Sequence, residues 1–211
     1  VRPHDSEISQ RSAISLRPVQ FITLALVFVG ATFATAEVST VAITKQLGQP
    51  GAASLVIGVY ALGSFVVGLI IGALNPKMPL QRQLLVALSV LVVTALPLLV
   101  ASTSVALLAF AVFLSGVAIS PTFITAFGLI ERRVPEAMLT EGVTWVMTGI
   151  GIGMALGAFV SGWVVDNFGP ANGFWVSVAA SILALLTVTI GQASLSGKRE
   201  ANTGSLAQPA E

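Results

Sequence analysis

The chain has no cysteine, and its one histidine, His4, stands in a polar stretch before the first apolar run. Without cysteine there are no thiolate metal sites and no cysteine nucleophiles. Without a histidine in the apolar runs, an intramembrane serine protease has no base, and a metal enzyme would need clustered acids that the runs also lack. We therefore expect no metal, no cofactor and no enzymatic activity.

Charge is also scarce. Only 9% of the 211 residues are charged and 55% are hydrophobic, and the mean hydropathy is +0.93. Soluble domains carry roughly 25% charged residues, so this composition is typical of a membrane-embedded chain. The net charge of +1 gives no reason to expect nucleic acid as a partner. The partner that the composition predicts is the lipid bilayer.

Six long apolar runs follow one another, with short polar breaks between them. Each is long enough for a helix to cross a ~30 Å hydrocarbon layer, and none alternates strictly as a barrel strand does. A cytoplasmic leader or linker is expected over 1–18, and a disordered cytoplasmic tail over 193–211. The predicted spans are 19–43, 51–74, 84–101, 104–130, 138–165 and 171–192.

The basic residues predict the orientation. With the N-terminus inside, nine of the ten Lys and Arg residues fall in cytoplasmic segments, and only Lys45 falls outside. Cytoplasmic loops of membrane proteins carry such an excess of Lys and Arg. We therefore expect a multi-pass protein of the plasma (inner) membrane with both termini in the cytoplasm.

Glu37 is the one acid in the first apolar run. A carboxylate in a span is costly unless it faces protein, water or a ligand. Phe33 and Thr40 lie close to it in angle on a helix. Two interpretations stay open: an acid that loads and releases a proton in a cavity, or one that extends toward the outer interface. Because the spans hold no Lys or Arg, a partner cation would have to come from elsewhere, for example from the substrate.

Glycines recur at helical spacing in two spans: Gly149, Gly153 and Gly157 in the fifth, Gly68 and Gly72 in the second. Small residues four apart let helix backbones approach closely. Close helix packing is the simplest interpretation, and an interface that slides during transport is the alternative.

Pro121 interrupts the fourth span, removes a backbone hydrogen bond and predicts a kink. Hydroxyl groups around it, including that of Ser120, can satisfy the freed carbonyls. The alternative is that this broken segment lines a polar cavity.

Among the charged residues that follow the fourth span on its cytoplasmic side are Arg132, Arg133 and Glu141. These three are either members of a cytoplasmic ion-pair gate or solvated charges, which contribute little to stability.

Three stretches resemble the C-terminal half of a Major Facilitator Superfamily transporter, its seventh to twelfth helices. GVYALGSFVVGLIIGALNPKMPLQRQLL (58–85) is similar to the eighth helix and the loop after it. SGVAISPTFITAFGLIERRVPEAMLTEGVTW (115–145) is similar to the tenth-to-eleventh connection, and TGIGIGMALGAFVSGWVVDNFGPANGFW (148–175) to the glycine-rich eleventh helix and the start of the twelfth. TAEVSTVAI in the first run is most similar to the bacterial drug-export branch.

The resemblance implies an all-α integral membrane fold of six helices, half of a twelve-helix transporter built as a 3+3 repeat, with substrate bound between the halves. It implies proton-coupled export of small hydrophobic or cationic molecules by alternating access, together with an N-terminal six-helix half or a second copy of this chain. Glu37 is then the proton or cation site. The cavity-lining candidates are Phe33, Thr40, Tyr60, Ser120 and Pro121. The alternative is a truncated or non-transporting six-span protein.

Overall fold

The computed structural model of the protein describes residues 12–74 and 78–195. The predicted leader up to residue 11, the loop at 75–77 and the predicted tail from 196 lie outside the described residues. Within the described ranges the chain forms seven α-helices joined by short turns or 3-10 segments. They are α1 (Arg17–Gln46), α2 (Ala52–Leu74), α3 (Leu80–Ala95), α4 (Val105–Val117), α5 (Ile119–Arg133), α6 (Leu139–Phe168) and α7 (Gly173–Leu195).

These helices make six segments that are long and apolar enough to cross a membrane, which confirms the expected all-α, six-span fold. The third segment is α3 continued by a 3-10 helix, Leu96–Thr103. The change from α to 3-10 coincides with Pro97, which has no N–H to extend the α-helical ladder. Two helices, α4 and α5, make up the fourth segment.

The fourth segment breaks at Ala118, three residues before Pro121. The hydroxyl of Thr122 donates to the Ala118 carbonyl at 2.7 Å, and that of Thr125 donates to the Pro121 carbonyl at 2.7 Å. Side chains therefore bind the backbone around the break, as is common where a proline interrupts a membrane helix.

The most extensive helix contact joins α1 to α6 and depends on the glycine face of α6. A Cβ at Gly153 would overlap the Val27 carbonyl oxygen, and one at Gly157 would lie 2.5 Å from the Ala31 carbonyl oxygen. Further along, the Ser39 and Ser161 hydroxyls lie 3.3 Å apart. The backbones of α1 and α6 therefore touch along most of their length, which any side chain at these glycines would prevent.

The two glycines of the second pair, Gly68 and Gly72, differ in how closely a neighbouring helix approaches them. A Cβ at Gly68 would lie 3.0 Å from the Ser120 side chain on α5, whereas one at Gly72 would meet nothing within 4 Å. The packing role expected for Gly72 therefore has no counterpart among the described residues, because α2 has diverged from its neighbours at that level.

The pattern of helix neighbours repeats within the bundle. The first span packs mainly on the fifth and sixth, and the fourth span packs mainly on the second and third; the third and sixth also meet. If the first span is exchanged with the fourth, the second with the fifth and the third with the sixth, the same pattern of contacts results. Two three-helix units related in this way are the 3+3 arrangement that the family resemblance implies.

Candidate functional site

Helices α1, α5 and α6 surround an apolar cavity of about 400 Å³. That volume falls in the range of ~300–1,000 Å³ typical of small-molecule sites. No polar atom contributes to its wall. The lining residues are Gly30, Phe33, Phe123, Phe127, Met147, Ile150 and Met154.

The cavity wall follows from helix periodicity. Phe123 and Phe127 are four residues apart on α5 and share one face, as do Met147 and Met154, two turns apart on α6. Gly30 lets α1 approach α6, because a Cβ there would overlap the Ile150 carbonyl oxygen. Phe33 is the one lining residue that the sequence pattern predicts. The spacing of the two phenylalanines on α5 is the signal that could have indicated the others.

Phe33 connects the cavity to Tyr60 on α2. Their ring centroids lie 5.4 Å apart at an interplanar angle of 48°. Tyr60 is 2% exposed, and its hydroxyl has no hydrogen-bond partner among the described residues. Buried hydroxyl groups are nearly always hydrogen-bonded, so an unsatisfied one indicates a position where water or a ligand group binds.

Glu37 is half-buried on α1, one turn after Phe33. It stands nine residues before the end of α1, about 13 Å at ~1.5 Å per residue. The other acids of the described residues stand within five residues of a span end; they are Glu131, Glu136, Glu141 and Asp166. Glu37 is therefore the acid placed deepest in a span.

The remaining cavity candidates lie elsewhere. Thr40 is 1% exposed, and its hydroxyl has no partner among the described residues. The Ser120 hydroxyl lies 2.8 Å from that of Ser64 and joins α5 to α2. Pro121 lines a different cavity, which lies between α2, α3 and the break between α4 and α5. The candidate site is thus built from Phe33, Glu37 and Tyr60 and from the aromatic wall of α5.

Within the described ranges, the hydrogen-bond partners of Glu141 are groups other than the arginines of the expected gate. The carboxylate accepts hydrogen bonds from the hydroxyl of Ser12, the backbone N–H of Ala13 and the indole N–H of Trp145, the last at 3.3 Å. None of these partners is a cation. Arg132 is exposed at the end of α5, and Arg133 next to it is half-buried. Glu141 therefore holds the segment before α1 against the first turn of α6.

Replacing Glu141 with alanine is expected to release that segment. Ala13 is fully buried, and because the chain has no cysteine of its own, Ala13→Cys provides a single labelling site. We expect slow maleimide labelling of Ala13→Cys and faster labelling when Glu141→Ala is added. Glu136→Ala, which removes a nearby exposed acid, is the matched control. Equal labelling rates in both double variants would contradict the assigned role of Glu141.

In the part of the chain that the structure describes, no group of three or more His, Asp or Glu side chains lies together. The cavity has the size and the apolar wall to hold an apolar or aromatic group.

Comparison with known proteins supplies the family. Residues 21–208 match the model of the Major Facilitator Superfamily. The chain is 32% identical over 181 residues to two relatives named uncharacterized MFS-type transporters, Rv1877 and MT1926, from two strains of Mycobacterium tuberculosis. It is 27% identical over 129 residues to the 4-hydroxybenzoate transporter PcaK of Acinetobacter baylyi.

The matches cover 82% of this chain for the mycobacterial relatives and 61% for the Acinetobacter protein. They cover only 26% to 28% of the relatives themselves, so the chain spans about a quarter of their length. No solved structure matches. The family model nevertheless extends over most of the chain and all six of its membrane-spanning segments, and the chain belongs to the Major Facilitator Superfamily.

Proposed function

We propose that this chain is the C-terminal six-helix half of a proton-coupled exporter of small hydrophobic or cationic molecules. The transporter works by alternating access in the plasma membrane, with both termini of this chain in the cytoplasm. The observation that carries the proposal is the apolar, phenylalanine-rich cavity together with Glu37, which lies one helical turn beyond Phe33 of the cavity wall. A site of this kind can bind an aromatic cation by ring contacts and by charge.

Glu37 supplies the coupling in this mechanism. When ionised, it favours a substrate cation beside Phe33; when protonated, it loses that attraction and the cation leaves. Export then requires that the carboxyl take up a proton on the outer side and release it on the inner side. Tyr60, whose hydroxyl is unsatisfied in the described part of the chain, can donate a hydrogen bond to the substrate.

A second six-helix unit completes the site. Only 17% of the apolar stretch of the second span and 22% of that of the fifth are buried within the chain. The corresponding share is 39% to 56% in the other four spans. The second and fifth spans correspond to each other in the 3+3 repeat, so they leave two matching apolar surfaces. In a bilayer, lipid or another protein covers such surfaces. Their correspondence in the repeat, together with low burial in these two spans alone, supports pairing with an N-terminal half or with a second copy of this chain.

The charge of the substrate can be tested directly, because one relative is named for 4-hydroxybenzoate, an aromatic anion. The apolar wall around Phe123 and Phe127 suits an aromatic ring of either charge. The carboxylate of Glu37 favours a cation. The proposal therefore predicts export of aromatic cations in preference to 4-hydroxybenzoate.

In the experiment, the protein encoded by the complete reading frame that contains this chain is reconstituted in proteoliposomes. A pH gradient is imposed, and movement of an aromatic cation and of 4-hydroxybenzoate is followed. We expect saturable cation transport that requires the gradient. Cation transport that proceeds equally well without the pH gradient would contradict proton coupling. A folded chain that neither pairs nor transports would support the non-transporting alternative.

A further inference from the structure

A second apolar cavity, which we call the lateral groove, lies between α2, α3 and the α4–α5 break. Its volume is about 270 Å³ and its wall is almost entirely apolar. Small-molecule sites usually have ~300–1,000 Å³, so the groove is slightly smaller than a typical site of that kind. The residues that define it here are Val67, Ile71, Val86, Val90, Ala118 and Pro121.

The groove exists because its two walls do not pack on each other. Helices α2 and α3 both pack on α4 and α5 but make almost no direct contact with one another. Ala118 and Pro121, at the break between α4 and α5, form the floor. Val86 and Val90 on α3 are 52% and 37% exposed, so the groove opens on its outer side.

One cation stands at the end of the groove. Arg82, Val86 and Val90 are four residues apart and share one stripe of α3, so Arg82 lies one turn beyond the valines, near the start of the span. Its side chain is exposed and makes no hydrogen bond or ion pair with other described residues. Neither α2 nor α3 contains an acid, and the last turn of α5 at the same end carries one acid, Glu131, with two arginines, Arg132 and Arg133. Together with Arg82, the basic residues at this end of the groove outnumber the acid.

We propose that the lateral groove binds one acyl chain of an anionic phospholipid, with the lipid phosphate on Arg82. The groove supplies an apolar slot at the depth of the hydrocarbon, and Arg82 supplies the cation at the depth of the headgroups. Basic sites between membrane helices bind anionic headgroups in this way. The proposal concerns a site apart from the Phe33 cavity and does not depend on the direction of transport or the coupling ion.

The test measures which lipid the protein retains. The full chain is reconstituted in equal amounts of phosphatidylglycerol and phosphatidylcholine, extracted in mild detergent and examined by native mass spectrometry. We expect enrichment of phosphatidylglycerol that falls about fivefold in Arg82→Gln, the ratio expected for loss of one interfacial cation. Arg17→Gln removes an exposed cation on the same membrane side, away from the groove, and should leave the enrichment unchanged.

Filling the groove tests the acyl-chain part separately. Val86→Phe, at an exposed wall position, and Ala87→Leu, at a buried one, should both reduce retention of either lipid, whereas Ala179→Leu on the exposed face of α7 should not. Thermal unfolding of each variant identifies any that fail to fold, and Val86→Phe remains informative if Ala87→Leu does not fold. Equal retention in Arg82→Gln and Arg17→Gln would overturn the proposal. So would a photo-cross-linker at Val90 that joined protein to protein instead of protein to lipid.

Discussion

Gly153→Leu is expected to separate α1 from α6 and to cause the largest loss of stability of any single replacement among the glycines that the structure describes. Even a Cβ at this position would overlap the Val27 carbonyl oxygen, and the overlapping atom belongs to backbone that cannot rotate away. Overpacking commonly costs ~1–3 kcal/mol, and we expect the free energy of unfolding to fall by at least the upper end of that range. Thermal unfolding of the detergent-solubilised chain, followed by size-exclusion chromatography, measures the effect.

The same helix provides the matched controls. Gly151 and Gly162 lie off the contact face, and a Cβ at either would meet nothing within 4 Å. Leucine at these positions should change the free energy of unfolding by no more than ~0.5 kcal/mol, as is usual for surface substitutions. If Gly151→Leu destabilised the chain as much as Gly153→Leu, the loss would reflect the added side chain in general and not the α1–α6 contact.

Glu37→Gln is expected to abolish transport driven by a pH gradient. Glutamine preserves the size of the side chain and its ability to hydrogen-bond, but it cannot release a proton, so the alternation between a charged and a neutral site stops. In proteoliposomes, cation movement under a pH gradient should fall to the level of vesicles without protein. Binding of a neutral hydrophobic ligand to the cavity beside Phe33 should remain, because the apolar wall is unchanged.

Two variants make this result specific. Asp166→Asn removes an exposed acid near the end of α6 and should leave gradient-driven transport intact. Glu37→Asp keeps a titratable group on a shorter side chain and should retain part of the transport. Full gradient-driven transport by Glu37→Gln would show that coupling resides elsewhere, with the fold and family unaffected.

Helix packing shows how far local spacing can be trusted. The four-residue repeat of Gly149, Gly153 and Gly157 predicts a face on which another helix can pack, and that face contacts α1. The same spacing at Gly68 and Gly72 predicts a second contact, yet only Gly68 meets a neighbour. A repeat identifies a face that permits close approach, but which helix arrives, and at what level, depends on the rest of the bundle.

Contacts between residues far apart in the chain could not be predicted from the sequence for a related reason. Glu141 is 129 residues from Ser12, and its neighbours in the chain suggested an ion pair with arginines, while the fold brings a hydroxyl and a backbone N–H to it instead. Phe123, Phe127 and Met147 each have the appearance of ordinary span residues. They become a cavity wall only because α1, α5 and α6 converge without closing completely.

The sequence by itself determined that this chain is an all-helical membrane protein with six spans, and it placed one acid, Glu37, in the outer half of the first of them. It could do so because crossing the bilayer depends on the length and apolarity of each segment, which are local properties. Only the tertiary structure decided which faces meet, where the Phe33 cavity and the lateral groove lie, and which hydroxyl groups remain unsatisfied. Those features depend on distances between segments far apart in the chain, and hydropathy carries no information about them.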